Sequence, residues 1–85
     1  MTTDIKELKA LWEQFSWYAN AILGDAPREL DQEYTNLLPD SYRKLTNEEN
    51  AKMLSIAMRA DKYVRNKSYT QGFAIMLKKI TEGGD

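Results

Sequence analysis

Two pairs of neighbouring carboxylates, Asp31-x-Glu33 and Glu48-Glu49, have residue types that suit acid–base or metal chemistry. A metal site needs further ligands at set spacings, and neither pair has such companions. Glu49 also has a simpler role, because it completes a helix-start signature with Thr46. We therefore predict neither a metal site nor a cofactor.

The chain contains no cysteine and no histidine. Histidine is the commonest general base near neutral pH and the commonest metal ligand, and cysteine supplies thiolate nucleophiles. Zinc sites built on these residues, Ser-His-Asp triads and Cys-His pairs cannot be assembled from this chain alone. We expect a function in binding and not an enzyme.

Trp17 is the residue with the clearest potential for binding. At about 100° per residue, it lies roughly 160° around the predicted first helix from the centre of that helix's apolar stripe. Indole rings are costly to leave in water and are enriched at interface hot spots. Two interpretations stay open, since Trp17 can pack under a connector of its own domain or meet a partner.

Negative charge is concentrated in residues 25–40, which carry five acids and one base. An acidic helix there would attract a basic partner surface and speed encounter. With Trp17, the acids Glu29, Asp31 and Glu33 form the predicted binding site for another protein. The chain would then be a small inhibitor or regulator of a phage or bacterial accessory type.

Positive charge is concentrated in residues 41–85, which carry nine bases and five acids. A basic helix face with nearby tyrosines is also typical of a surface that contacts phosphates, so nucleic-acid binding is the alternative function. Against it stands the formal net charge of −1, because nucleic-acid-binding domains usually have a clear positive balance. The residues for this alternative are Lys52, Arg59, Lys62, Arg65 and Lys67.

Three signatures mark helix starts, in which a short polar residue is followed three positions later by Glu or Gln. They are Asp4-x-x-Glu7, Thr46-x-x-Glu49 and Ser68-x-x-Gln71. Apolar residues at helical spacing follow each signature, and Pro27 suits the first turn of one more helix. The predicted helices span about 5–23, 27–38, 47–65 and 69–81.

These elements predict an all-α fold, a compact bundle of four helices formed as one domain over residues 1–85, with 82–85 as a frayed tail. The third helix is apolar around most of its circumference, so we place it at the centre. Because the break before the fourth helix is short, the third and fourth helices should form an αα-hairpin.

A second alternative function is self-association, in which the long apolar stripe of the first helix would serve a partner copy as well as its own core. No apolar run approaches the ~18 residues that span a bilayer, and the N-terminus lacks the pattern of a signal peptide. We expect a cytoplasmic protein with no membrane partner.

Overall fold

The computed structural model describes residues 4–82, and these form helices joined by turns, without a strand. The all-α bundle predicted from apolar spacing is confirmed. A short 3₁₀ turn follows the third helix directly. The elements are α1 (Ile5–Leu23), α2 (Arg28–Leu37), α3 (Asn47–Ala60), the 3₁₀ turn (Asp61–Tyr63) and α4 (Ser68–Glu82).

At the start of α3, both hydrogen bonds of the predicted helix-start signature are present. The Thr46 hydroxyl accepts a hydrogen bond from the Glu49 backbone N–H at 3.1 Å, and the Glu49 carboxylate accepts one from the Thr46 N–H at 3.0 Å. Each bond satisfies a backbone donor that the helix leaves unpaired. At α1, the Asp4 carboxylate accepts a bond from the Lys6 N–H at 3.3 Å.

The start of α4 differs from the prediction, because Ser68 does not cap it. Ser68 is the first residue of the helix, and both its N–H and its hydroxyl donate to the Asn66 side-chain oxygen, at 3.0 and 2.8 Å. Asn and Ser are both good capping residues, so the pattern alone does not say which side chain accepts a backbone N–H of the first turn.

Helix ends also differ slightly from the expected bounds. Pro27 has an extended ψ of 145° and occupies the capping position of α2, so the helix begins one residue later than expected. The regular part of α3 ends at Ala60, and the 3₁₀ turn carries the helical path to Tyr63. At the C-terminus α4 includes Glu82, which we expected to fray; residues 83–85 lie outside the described part of the chain.

The core confirms a central α3, which packs against α1, α2 and α4. At the meeting point of the helices, the Phe15 ring of α1 stacks on Phe73 of α4 at 4.7 Å and on Tyr34 of α2 at 5.8 Å between centroids. Burying each such side chain stabilises the fold by about 1.5–3 kcal/mol. Part of the broad apolar surface of α3 remains outside the core, however, since Leu54 and Met58 are exposed.

The apolar stripe of α1 is buried within the domain itself. Its members Leu8, Trp12, Phe15, Ala19 and Ile22 are all buried, whereas Ile5 at the start of the helix is exposed. Within residues 4–82, no helix combines the length and the apolar character that crossing a bilayer would need.

Candidate protein-binding surface

Trp17 lies at the surface along the seam between α1 and α4, with 56% of the residue exposed. Its ring meets Tyr18 of α1 and Tyr69 of α4 edge to face, at 5.0 and 5.5 Å between centroids. Such aromatic pairs are favourable by about 0.5–1.5 kcal/mol beyond area burial. The two tyrosines therefore hold the indole in place without covering it, and we name Trp17, Tyr18 and Tyr69 the aromatic surface.

Gly72 of α4 makes room for the aromatic surface. A Cβ atom at Gly72 would lie 2.3 Å from a ring carbon of Tyr18, far inside any normal contact. The Tyr18 ring thus packs directly on the α4 backbone, which only glycine permits. This explains a glycine within a helix, where it costs about 1 kcal/mol relative to alanine.

An open depression of about 470 Å³ lies beside the aromatic surface. One charged group, the Glu13 carboxylate, is among the side chains that line it, and Glu13 is exposed. We name this feature the Trp17 depression. Its lining residues are Ala10, Glu13, Gln14, Trp17 and Tyr18.

The other tryptophan provides a contrast on the same helix. Trp12 is 6% exposed, and its indole N–H donates to the Arg43 backbone carbonyl at 3.3 Å. Its apolar and polar parts are therefore both satisfied within the domain, as is usual for a buried indole. Trp17 lacks this enclosure, so of the two it is the indole that is accessible to a partner.

The three predicted acids on α2 have different surroundings. Glu29 and Asp31 are exposed in the first turn, where negative charge is favoured by the helix dipole. Glu33 instead receives two hydrogen bonds from the Arg59 guanidinium of α3, at 2.8 and 2.9 Å. These bonds hold the pKa of Glu33 below its usual value. The Arg59 guanidinium already neutralises the Glu33 charge.

Trp17 and the acid Glu33 have different neighbours. The ring partners of Trp17 come from α1 and α4. The acids lie on α2, which packs on α3. Trp17 and Glu33 therefore have partners from different helices, and we treat Trp17 and the α2 acids as two features that a partner can meet.

Most of the predicted phosphate-contacting cations have partners on the protein. The Lys67 amine donates to the Asp61 backbone carbonyl at 2.6 Å and to its carboxylate at 3.1 Å. Arg59 binds Glu33, and Lys52 lies 3.4 Å from Glu48. Two more cations complete the set: the Lys62 amine lies 5.3 Å from the Tyr63 ring centroid, and Arg65 is exposed.

The Glu48–Glu49 pair from the sequence has partners within the chain. Glu49 is bound by Thr46 and by both terminal nitrogens of the Arg43 guanidinium, at 2.8 and 2.9 Å. These hydrogen bonds lower the pKa of Glu49 to about 2, with the Arg43 bond as the largest cause. Over residues 4–82, no three carboxylates converge as metal ligands would.

Three contributors to this surface, Tyr18, Tyr69 and Glu13, were not predicted from the sequence. Tyr18 and Tyr69 follow helical apolar spacing, so they resemble ordinary core positions. Glu13 has no signal of its own. One hint was available, since Gly72 interrupts an otherwise regular amphipathic helix, and such a glycine often marks a close approach.

Comparison with known proteins found no relative: the chain matches no protein-family model, no curated protein and no solved structure. Function is therefore inferred from the surface of this chain.

Proposed function

We propose that this chain is a small protein-binding module, an inhibitor or regulator that acts by occupying a surface of a partner protein. The observation that carries the proposal is the 56% exposure of Trp17 in a ring cluster that holds it in place. An indole fixed before binding loses little conformational freedom on association. Exposed tryptophans of this kind are typical of binding hot spots.

The acidic residues of α2 support a partner with a basic surface. Glu29 and Asp31 are exposed. Charges at the rim of an interface mainly raise the association rate, and they do so most at low ionic strength. We therefore assign Trp17 to affinity and the α2 acids to steering.

Nucleic-acid binding has less support, because Arg59, Lys52 and Lys67 already lie against carboxylates. A phosphate would have to displace these partners. We expect no gel shift with duplex or single-stranded DNA or RNA at ~50 mM salt, where phosphate contacts are strong. A shift that Arg59→Gln or Lys67→Gln weakens would favour the nucleic-acid function.

Self-association also has less support, since the stripe of α1 is used within its own core. Copies of the chain would have to meet through other exposed residues. We expect a monomer in sedimentation at low and high concentration, and a mass that rises with concentration would favour an assembly subunit.

Affinity capture from a native lysate tests the proposal. We expect wild type to retain a partner that Trp17→Ala loses. Met58→Ala is the matched control, because Met58 is a large apolar residue, 68% exposed, on α3. Retention of the same partners by Trp17→Ala, or equal losses with both variants, would contradict a binding role for the aromatic surface.

Steering by α2 needs a separate variant. Glu29→Lys with Asp31→Lys reverses two exposed charges and leaves the Glu33–Arg59 pair intact. With the captured partner, we expect slower association at low salt and a small difference at high salt. Association rates equal to wild type at both salt concentrations would remove the α2 acids from the interface.

A further inference from the structure

We propose that the Trp17 depression receives an arginine side chain of the partner protein. This inference rests on the proposed function, and it names the chemistry that the aromatic surface recognises. Two side chains would share the guanidinium, with the Trp17 indole offering a ring face and Glu13 offering a carboxylate.

The spacing of these two residues suits a shared ligand. Glu13 and Trp17 are four residues apart on α1, so their side chains are neighbours on one helix face. Both are exposed, and the small side chain of Ala10 leaves space beside them in the depression. A ligand side chain can therefore reach the indole and the carboxylate together.

Charge complementarity selects a cation. Among the described residues, Glu13 forms no ion pair, unlike Glu33, Glu48 and Glu49. Of the described side chains that line the Trp17 depression, none is a cation. By contrast, the depression between α2 and α3 is lined by Lys52 and Arg59. The described lining of the Trp17 depression therefore has a negative charge beside an aromatic ring and no cation. Lys9 is one helical turn from Glu13, on the side away from Trp17, and within residues 4–82 it forms no ion pair with Glu13.

Arginine fits this arrangement better than lysine. A guanidinium is planar, so it can stack on an indole while its N–H groups bind a carboxylate through two bonds. A lysine amine is a compact, strongly hydrated charge that lacks this geometry. The chain itself forms two such two-bond pairs at its surface, Arg43–Glu49 and Arg59–Glu33.

A titration of the full chain by nuclear magnetic resonance tests the assignment. The probes are three glycine-rich peptides that carry a single arginine, lysine or glutamate, added to millimolar concentration. The readout is the indole N–H resonance of Trp17, and that of buried Trp12 is the internal reference. We expect a saturable shift of Trp17 with the arginine peptide, a weaker one with lysine and none with glutamate.

Variants identify the groups involved. Glu13→Gln should weaken the apparent affinity for the arginine peptide about threefold, as expected for loss of an exposed ion pair. Glu7→Gln, an exposed acid elsewhere on α1, is the matched control and should leave the affinity unchanged. Equal effects of the two variants, equal shifts with lysine, or no Trp17 shift with the arginine peptide would overturn the assignment.

The two proposals fail in different ways. If Trp17→Ala loses the captured partner while Glu13→Gln retains it at wild-type affinity, the protein-binding function stands and the arginine assignment falls. If Trp17→Ala retains the partner, the proposed function itself falls.

Discussion

The interface between α1 and α4 and the interface between α2 and α3 are held by different means. Between α1 and α4, Phe15 stacks on Phe73 in the core and Tyr18 packs on the backbone at Gly72. Helix α2 buries only Leu30 and Tyr34, and its link to α3 includes an exposed ion pair, Glu33–Arg59. Exposed ion pairs contribute little to stability, whereas buried rings contribute much.

This difference bears on function. The aromatic surface lies on the densely packed side, where the Trp17 ring is fixed by neighbours from both helices. The acids lie on α2, which buries only two residues, so we expect a lower cost of local opening there than in the other helices. In the proposed function, a Trp17 ring held in place favours tight binding. Charged residues that only raise the association rate can lie on a less stable helix.

The largest effect should come from Phe73→Ala, which removes a buried ring from the α1–α4 interface. We expect the free energy of unfolding to fall by about 3–5 kcal/mol, because the change leaves a cavity in the core. Urea unfolding followed by circular dichroism measures this. Ile75→Ala, an exposed position on the same helix, should change the free energy by less than about 0.5 kcal/mol. Similar losses at the two positions would contradict the assigned core.

The contact between Tyr18 and Gly72 should appear as coupling between the two residues. In a Tyr18→Ala background, Gly72→Ala should stabilise the fold by about 1 kcal/mol, since alanine is the better helix former. In the wild-type background this gain should be mostly lost, because the new Cβ displaces the Tyr18 ring. Unfolding of all four variants gives the coupling energy. Equal gains in both backgrounds would show that ring and backbone do not touch.

Helix α3 packs against α1, α2 and α4. The next test therefore removes the hydrogen bond that caps its N-terminus. Thr46→Ala removes the hydroxyl that accepts the Glu49 N–H, and we expect a loss of about 1 kcal/mol in the free energy of unfolding. Thr46→Ser keeps an acceptor and should lose much less. Urea unfolding of the two variants measures the difference, and identical losses would argue against the capping role.

Low pH should remove the contribution of Glu49 to the stability of the fold. Its pKa falls from 4.5 to about 2 in the folded chain, so its stabilising effect is complete above the unfolded value and is lost as pH falls towards 2. Glu49→Gln should therefore be less stable than wild type at neutral pH, and the two should converge near pH ~2. Urea unfolding across this range checks the trend, and a difference independent of pH would contradict it.

Loss of the Glu33–Arg59 pair should have the smallest effect on the free energy of unfolding. Arg59→Gln should speed amide hydrogen exchange in α2 and leave exchange in α1 and α4 almost unchanged, since this exposed pair joins α2 to α3 alone. Arg65→Gln, at another exposed arginine, is the control. Faster exchange throughout the chain would mean that α2 is not a separate region of lower stability.

Local signals were sufficient for most of the fold. The 3–4 spacing of the apolar stripe predicted α1 and most of its buried face, because side-chain direction in a helix follows from its period. All members of the stripe are buried except Ile5 at the start of the helix. The Thr46–Glu49 signature predicted the start of α3, since both capping bonds join residues within one turn. The start of α4 shows the limit, because there the side chain that accepts a first-turn N–H is Asn66 and not Ser68.

The sequence by itself determined that the chain is helical, which faces are apolar, and that residue types for common catalytic and zinc sites are lacking. Tertiary structure alone decided that Trp17 meets Tyr69 across two helices, that Glu33 neutralises Arg59, and that Glu13 forms no ion pair within residues 4–82. The physical reason is the range of the interactions. Helix formation and capping depend on residues within a turn or two, whereas exposure and charge pairing depend on which distant residues the packing brings together.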